Sequence, residues 1–455
     1  MNIYQHTMAL CPECKSKVTA RITGIEGRVF LEKFCPDHGY SKALISSDEK
    51  WYNESQRYVK PKELPESFYH NSFKGCPESC GSCREHQQHT CLPVIEINSV
   101  CNMNCPVCLK EDHHCSNMTV PEFEHIIQSL FKYESRVDVL NLSGGEPTMH
   151  PHLESFLHLC KEKGVMQTTV STNGKLFLKD KNLIQLFKNT STIAALQFDG
   201  FRSNTYEKLR GEDLAAEKLE IIKLFENEGI QYSFVATIAR NINEDEIPEI
   251  ADFFFRSRAI SLMLQPVSLT GHARSFQVDH KITIPDVVHQ LERSQYIKNG
   301  DFNPLPCSHF SCFALSYYFK LDEDKFVPLK DFLGKEGYLN TIANKTLPGL
   351  DFDGFHIISE KLYDVWSLAD SGSLSEQALK RIRAILMEIA KGADTKKTFE
   401  LGVQSMKAVF IHDFMDVHTF DFGRVIKCCN PYPGADGRLI PMCNKNMFFT
   451  EKQYA

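Results

Sequence analysis

Residues 101–108, CNMNCPVC, place three thiols at Cys101, Cys105 and Cys108 with no fourth in step. Disulfides need pairs, and a closed tetrahedral zinc site takes four protein ligands. A four-iron cluster normally takes four thiolates; held by three, it keeps one iron open to a small chelating molecule. The plain alternative is a zinc knuckle completed by His113, His114 or Cys115. Further on, GGEP at 144–147 supplies Gly144 and Gly145, whose backbone can approach a ligand closely, and Glu146, a carboxylate able to accept from an amine.

The chain's 17 cysteines bunch rather than scatter. In a reducing compartment such bunches hold metals more often than disulfides. Cys11, Cys14, Cys35 and His38 form two knuckles around a hairpin-like run, a mononuclear Cys3His site for zinc or rubredoxin-like iron with a structural role. Cys76, Cys80, Cys83 and Cys91 lie within one short loop and suit a four-iron cluster, or zinc. Cys307 and Cys312 pair with Cys429 and Cys443 in a third four-ligand site, Cys428 being the alternate to Cys429. That pairing wraps the C-terminal region back over the centre as a cap. Cys115 and Cys160 stand apart.

These residues need a scaffold, and from residue 93 short apolar runs alternate with amphipathic ones. Strands are expected over 94–98, 137–142, 166–171, 193–198, 232–238 and 260–265. In TVPEFEHIIQSLFKYE, Phe123, Ile126, Ile127, Leu130 and Phe131 share one helical face, with Thr119 as N-cap and Pro121 just inside. A second helix stops at Gly164. Six strands alternating with helices imply a parallel sheet buried on both faces, as an open sheet or a partial barrel. Chemistry then gathers at the C-terminal ends of the strands. Cys101 follows the first strand, GGEP the second, STNG at 171–174 the third, and Asp199-Gly200 the fourth.

At 455 residues and net charge -7, two or three domains are expected, and a nucleic-acid module is disfavoured. No run of 18 apolar residues and no hydrophobic signal core occur, so the expected location is cytoplasmic. Phenylalanine is abundant at 32 residues, and runs such as Phe253-Phe254-Phe255 suit either a core or an apolar channel for alkyl chains. The segment 330–354 reads as loop-rich, and 373–392 as an amphipathic helix that packs on the barrel or lies on a membrane surface. The expected divisions are 1–60, a metal-binding domain; 61–92, a cluster-bearing segment; 93–300, the partial barrel; and 301–455, a cluster-bearing cap.

CNMNCPVC, LSGGEP at 142–147 and STNG together resemble the radical S-adenosylmethionine (SAM) superfamily. The resemblance implies a TIM-like partial (β/α)6 barrel with a four-iron cluster on Cys101, Cys105 and Cys108. It also implies SAM contacts from Gly144, Gly145 and Glu146, with Ser171 and Asn173 at the ribose or carboxylate. Asp199 is a further candidate contact to SAM or substrate. Val107 departs from the pattern, since an aromatic residue commonly precedes the third cysteine. The CPxC…CPDHG start, CPESCGSC at 76–83, LQFDGF at 196–201, LRGEDL at 209–214 and the CC…DGRLIPMC ending are similar to the group holding tetraether lipid synthase and a pterin methylase. Membership implies hydrogen abstraction from an unactivated carbon, leading to alkyl-chain coupling or to C-methylation of a pterin. The implied cofactors are SAM, three [4Fe-4S] clusters and one mononuclear zinc or iron. The implied partners are an electron donor such as ferredoxin or flavodoxin and an apolar or small-molecule substrate, with peripheral membrane contact and no nucleic acid. A non-enzymatic zinc-binding scaffold and an electron carrier are the readings from other classes.

Overall fold

A computed structural model describes residues 2–68, 75–81, 83–110, 116–277, 281–322, 324–344, 380, 384, 387 and 405–449. Four antiparallel strands open it: β1 (Asn2–Leu10), β2 (Lys17–Ile25), β3 (Arg28–Cys35) and β4 (Gly39–Ser46), paired in sequence order. Their core is small, formed by Ala9, Ala20, Ile22, Val29, Leu31 and Tyr52. So little apolar burial is usually reinforced by a metal. The two turns at one end of the sheet bring Cys11, Cys14, Cys35 and His38 together, all ligand atoms within 4.8 Å of one another. Cys14 and Cys35 Sγ are 3.9 Å apart, and His38 Nδ1 lies 3.7 Å from Cys11 Sγ and 3.5 Å from Cys35 Sγ. A tetrahedral ion with sulfur at about 2.3 Å spaces its sulfurs by about 3.8 Å, so the four fit one zinc-sized ion.

Six parallel strands follow: β5 (Val94–Asn98), β6 (Val139–Gly144), β7 (Gln167–Thr172), β8 (Ile193–Gln197), β9 (Tyr232–Ile238) and β10 (Ser261–Pro266). They pair in sequence order, with helices between them. The helix Val120–Tyr133 begins in a capping box of Thr119 and Glu122 and buries Phe123, Ile126, Ile127 and Leu130; Phe131 is only partly buried. The next helix, Leu153–Glu162, stops before Gly164, whose φ of +90 suits glycine. Phe254 and Phe255 are buried in the same apolar core, and Phe253 packs against it.

The sheet does not end at β10. β14 (Met406–His412) runs parallel to β10, and β12 (Phe313–Asp322) runs antiparallel to β14. β11 (Asn303–Pro304) and β13 (Lys325–Pro328) pair with β12, making ten strands. Residues beyond 300 therefore continue the barrel sheet instead of only covering it. Asn303–Pro304 and Phe313–Asp322 precede β14 in sequence but reach the barrel through it.

The expected loop at 330–354 is in part a helix, Leu329–Ile342, broken at Gly334 with φ +65. Leu329, Phe332, Leu333, Tyr338, Leu339 and Ile342 bury against β12, and this burial outweighs the poor helix propensity of two glycines. The amphipathic stretch 373–392, apart from 380, 384 and 387, lies outside the described residues, as do His113, His114 and Cys115. Cys160 is a buried core thiol. Among the described residues no helix is long and apolar enough to cross a membrane.

The four-stranded domain is fastened to the C-terminal region. Lys33 Nζ donates to the carbonyls of Val417 (3.1 Å) and His418 (2.7 Å), Thr7 Oγ1 donates to Asp421 (2.6 Å), and Ala9 pairs with Asp421. At the start of β14, Lys407 Nζ donates to the carbonyls of Ser257 (2.7 Å), Ala259 (2.5 Å) and Phe254 (3.2 Å) at the end of the helix Ile247–Arg256. Lys407→Met removes the donor shared by three carbonyls. It is expected to cost about 2 kcal/mol and to lower Tm by a few degrees in a thermal melt.

Candidate functional site

The loop after β5 carries Cys101, Cys105 and Cys108, all half-buried and all lining a cavity of about 520 Å³ inside the barrel. Its backbone is held by the GGEP turn. Gly145 N–H donates to Asn98 O (2.9 Å), Glu146 N–H to Val100 O (2.7 Å), and Asn98 Nδ2 returns to Glu146 O (2.9 Å). A Cβ on Gly145 would overlap Val100 O, and one on Gly144, at φ +144, would overlap Asn98 O. Both glycines are thus demanded by the close approach of two backbones, in addition to lining the cavity.

Glu146 has a structural task in addition to the expected one of amine acceptor. Its buried carboxylate accepts from Thr148 N–H (3.2 Å), Thr148 Oγ1 (2.6 Å), Thr172 Oγ1 (2.7 Å) and Asn173 N–H (2.8 Å). It ties the GGEP turn to the STNG turn while still lining the cavity. Asn173 joins in through its side chain, donating to Asn102 Oδ1 between the first two cysteines (2.7 Å), while Lys218 Nζ donates to its carbonyl. Ser171 and Asn173 both line the cavity, and Ser171 Oγ is hydrogen-bonded to Asn141 (3.0 Å).

Asp199 is a correction. It has no exposed surface and does not line the cavity, so it is not a direct contact. A buried carboxylate needs a partner, and Asp199 takes Arg210 in a two-pronged pair, Oδ2 to Nε and Oδ1 to Nη2, both at 2.7 Å. Thr237 N–H adds a third bond at 2.9 Å. Arg210 does line the cavity, hydrogen-bonds Thr237 Oγ1 (3.0 Å) and lies beside Cys105. The candidate cation for a ligand carboxylate is therefore Arg210, with Asp199 fixing its orientation. LRGEDL carried that signal, since an arginine and a strand-end aspartate placed by one βα turn can meet.

Sequence reasoning missed the wall itself. Ile95, Leu140, Leu142, Val170, Leu196, Leu262 and Leu264 face the helices, while the residues between them face inward. Those inward residues include Asn141, Thr169, Gln197, Ser233, Ser261 and Gln265. A parallel strand buried on both faces would be apolar throughout; polar residues at several of the alternate positions, among apolar ones such as Ile193, Val235 and Met263, were the available sign of a lined cavity. The wall continues from β10 into β14 and β12, which present Phe313, Leu315, Tyr317, Met406 and Phe410, with Phe414 and Tyr432 beyond. His412 is held between Phe313 and Phe414, ring centroids 3.8 and 4.0 Å away, and burial pulls its pKa down to about 3, so it stays neutral.

The Radical SAM superfamily profile matches residues 95–254, the segment that holds β5 to β9, the three-cysteine loop and both turns. Residues 95–254 form a radical SAM domain. The chain is a radical SAM enzyme through that domain, and the family's four-iron cluster and SAM are its expected cofactors. Residues 3–47 match the HMPTM N-terminal zinc ribbon domain, which agrees with the ligand geometry at Cys11, Cys14, Cys35 and His38. Among curated relatives, a 7,8-dihydro-6-hydroxymethylpterin dimethyltransferase of Methanocaldococcus jannaschii is 28% identical over 477 residues, covering 97% of this chain and 93% of that one. A GTP 3′,8-cyclase of Tolumonas auensis is 25% identical over 224 residues, covering 48% of this chain and 65% of its own. The crystal structure of Streptococcus suis SuiB bound to S-adenosylmethionine overlaps 45% of this chain and 46% of its own, at 19% identity and a TM-score of 0.39.

The donor set suits the radical SAM cofactors. Three thiols on one loop face a cavity beside the half-buried Arg210 guanidinium and the backbone of a diglycine turn, a combination of soft ligands and carboxylate-binding groups. The flanking thiols are arranged differently from the expected sets. Cys76 hydrogen-bonds Cys80, with Cys83 near Cys76. Cys91, expected with those three, instead places its thiol against Cys307 and Cys429, because Cys91 N–H and Leu92 N–H both bond Cys429 O (2.8 and 3.1 Å). Cys312 Sγ accepts from Arg424 Nε (3.3 Å), and Cys443 Sγ from Met415 N–H (3.4 Å). Both thiols of the pair donate to Asn430, Cys428 to its carbonyl (3.3 Å) and Cys429 to Oδ1 (3.2 Å); Cys428 lies near Cys443 and Cys312, and Cys429 meets Cys91.

Asp199→Asn keeps the shape of the side chain but removes the charge that orients Arg210. SAM binding, measured by equilibrium dialysis on the anaerobic protein, is expected to weaken roughly tenfold, with cluster content unchanged.

Proposed function

We propose that this radical SAM enzyme methylates a carbon of a small planar heterocycle, a reduced pterin or a close chemical relative. The observation that carries the reading is the mixed lining of the cavity. Amide and hydroxyl side chains from β6 to β10, Asn141, Thr169, Gln197, Ser233 and Gln265, share the cavity with aromatic ones from β12 and β14, Phe313, Tyr317 and Phe410. A flat ring with nitrogen and oxygen at its edge hydrogen-bonds the first group and stacks on the second. An alkyl chain would instead leave the unpartnered Gln197 Oε1 without a hydrogen bond. The similarity to a pterin dimethyltransferase along nearly the whole chain supports the same substrate class.

When bound, the cluster and one SAM would supply a 5′-deoxyadenosyl radical that abstracts hydrogen from carbon, a second SAM would supply the methyl group and leave as S-adenosylhomocysteine, and the electron donor would supply two electrons in all. The chain's own residues do the positioning. Cys101, Cys105 and Cys108 are the ligands, the Gly144–Gly145 backbone and Arg210 receive the amino-acid end of SAM, and Asn173 links that end to the cysteine loop through Asn102. Met103 and Val107, both buried and both on the cavity, keep water from the reacting centre. On this reading the remaining cysteines hold two further four-iron clusters, three in all, and a low-potential one-electron donor such as ferredoxin or flavodoxin feeds them. Coupling of alkyl chains, the other outcome implied by sequence, is set aside for the polar lining. The Phe253–Phe255 run supports that choice, since Phe254 and Phe255 are buried in the helix-side core and none of the three lines the cavity.

Protein purified without oxygen, given SAM, dithionite and a dihydropterin, is expected to release 5′-deoxyadenosine and form a methylated pterin by mass spectrometry. Cys101→Ala is expected to abolish both products. Deoxyadenosine formed with an untouched pterin would remove the substrate reading, and no deoxyadenosine at all would remove the mechanism.

A further inference from the structure

Nine cysteines lie outside the zinc ribbon, the SAM-cluster loop and the isolated positions 115 and 160. Sequence adjacency puts Cys91 with Cys76, Cys80 and Cys83, but the fold separates them. Cys76 packs in an apolar group with Leu10, Phe420, Phe422 and Met447, whereas Cys91 packs in another with Phe313, Tyr317, Tyr338, Cys307 and Cys429. Neither Cys76, Cys80 nor Cys83 lines the barrel cavity; Cys91 and Cys429 do.

We propose that Cys91, Cys307 and Cys429 belong to one iron–sulfur site built into the cavity wall, distinct from the site of Cys76, Cys80 and Cys83. The three thiols come from distant stretches of chain and are all buried, at 7%, 0% and 1% exposure. They are fixed by backbone bonds: Cys91 N–H to Cys429 O at 2.8 Å, and Leu92 N–H to the same oxygen at 3.1 Å. Donors also converge on the sulfurs. Asn344 N–H reaches Cys307 Sγ at 3.2 Å, and Gln88 Nε2 reaches Cys91 Sγ at 4.0 Å. N–H groups aimed at sulfur stabilise the charge of cluster-bound thiolates and tune the cluster's potential, whereas neutral core thiols have little need of them. Soft ligands in an apolar setting favour iron–sulfur over a hard ion. Cys312 packs against the same group. The site therefore meets whatever occupies the barrel, and the Cys76 site does not.

The inference extends the reading above to a second ligand set, and the two can fail separately. Deoxyadenosine release reports on the Cys101 site, while iron stoichiometry and paramagnetic resonance report on this one. The full chain is reconstituted anaerobically with iron and sulfide as wild type, Cys91→Ala/Cys307→Ala and Cys76→Ala/Cys80→Ala. Each double variant is expected to lose about four irons and one reduced-cluster signal, a different signal in each, with the SAM-cluster signal and ribbon zinc retained. The serine pair Cys91→Ser/Cys307→Ser gives the same comparison if the alanine pair does not fold. Loss or distortion of two auxiliary signals in the Cys91/Cys307 variant would overturn the assignment, because it would mean that those residues serve different clusters. So would loss of the same signal in both variants, or zinc in place of iron at this site in the wild type.

Discussion

Two peptide hydrogen bonds, Gly145 N–H to Asn98 O and Glu146 N–H to Val100 O, set the position of everything chemical in this enzyme. They lay the turn after β6 directly on the chain leaving β5, a contact that only residues without a Cβ permit at 144 and 145. The cysteine loop thereby inherits the rigidity of the sheet. Glu146 carries the constraint one strand further: its carboxylate closes on Thr172 and Asn173, and Asn173 reaches back to Asn102. Cluster loop, diglycine turn and STNG turn form one hydrogen-bonded unit across three strand ends. A cofactor bound there meets groups that need little reorganisation to receive it.

The second constraint is the alternation of each strand. Apolar residues at one parity bury against the helices and hold the barrel together. The other parity is released from that duty and can be polar, since it faces a cavity. The polarity is tolerable because the groups largely satisfy one another, as Asn141 does with Thr169 and Ser171 and as Ser261 does with Ser233. Stability and recognition are thus written on alternate residues of the same strands.

Much of this was legible from sequence because it is local. The six strands, the Thr119 cap and the Gly164 stop follow from periodicity and capping chemistry, and the cysteine spacings at 101–108 and 11–38 are short enough to name their sites. What could not be read depends on which distant segments meet. Cys91 follows Cys83 closely in sequence, yet its neighbours are Cys307 and Cys429, and no local pattern encodes that approach. Asp199 looked like a ligand because it ends a strand, but its full burial commits it to Arg210. The helix at Leu329–Ile342 was hidden by Gly334 and Gly337, whose weak propensity is overridden by packing on β12.

The strand order of the large sheet differs from the order in which the strands are synthesised. β12 can join the barrel only through β14, which begins more than eighty residues later, at Met406. A chain emerging from the ribosome therefore has its six-stranded half, with the polar interior exposed to solvent, before the aromatic half can be hung on it. The cysteine loop, the diglycine turn and Arg210 are thus made before the strands that complete the wall of the cavity they line, and the cavity is finished only when β14 bridges β10 and β12.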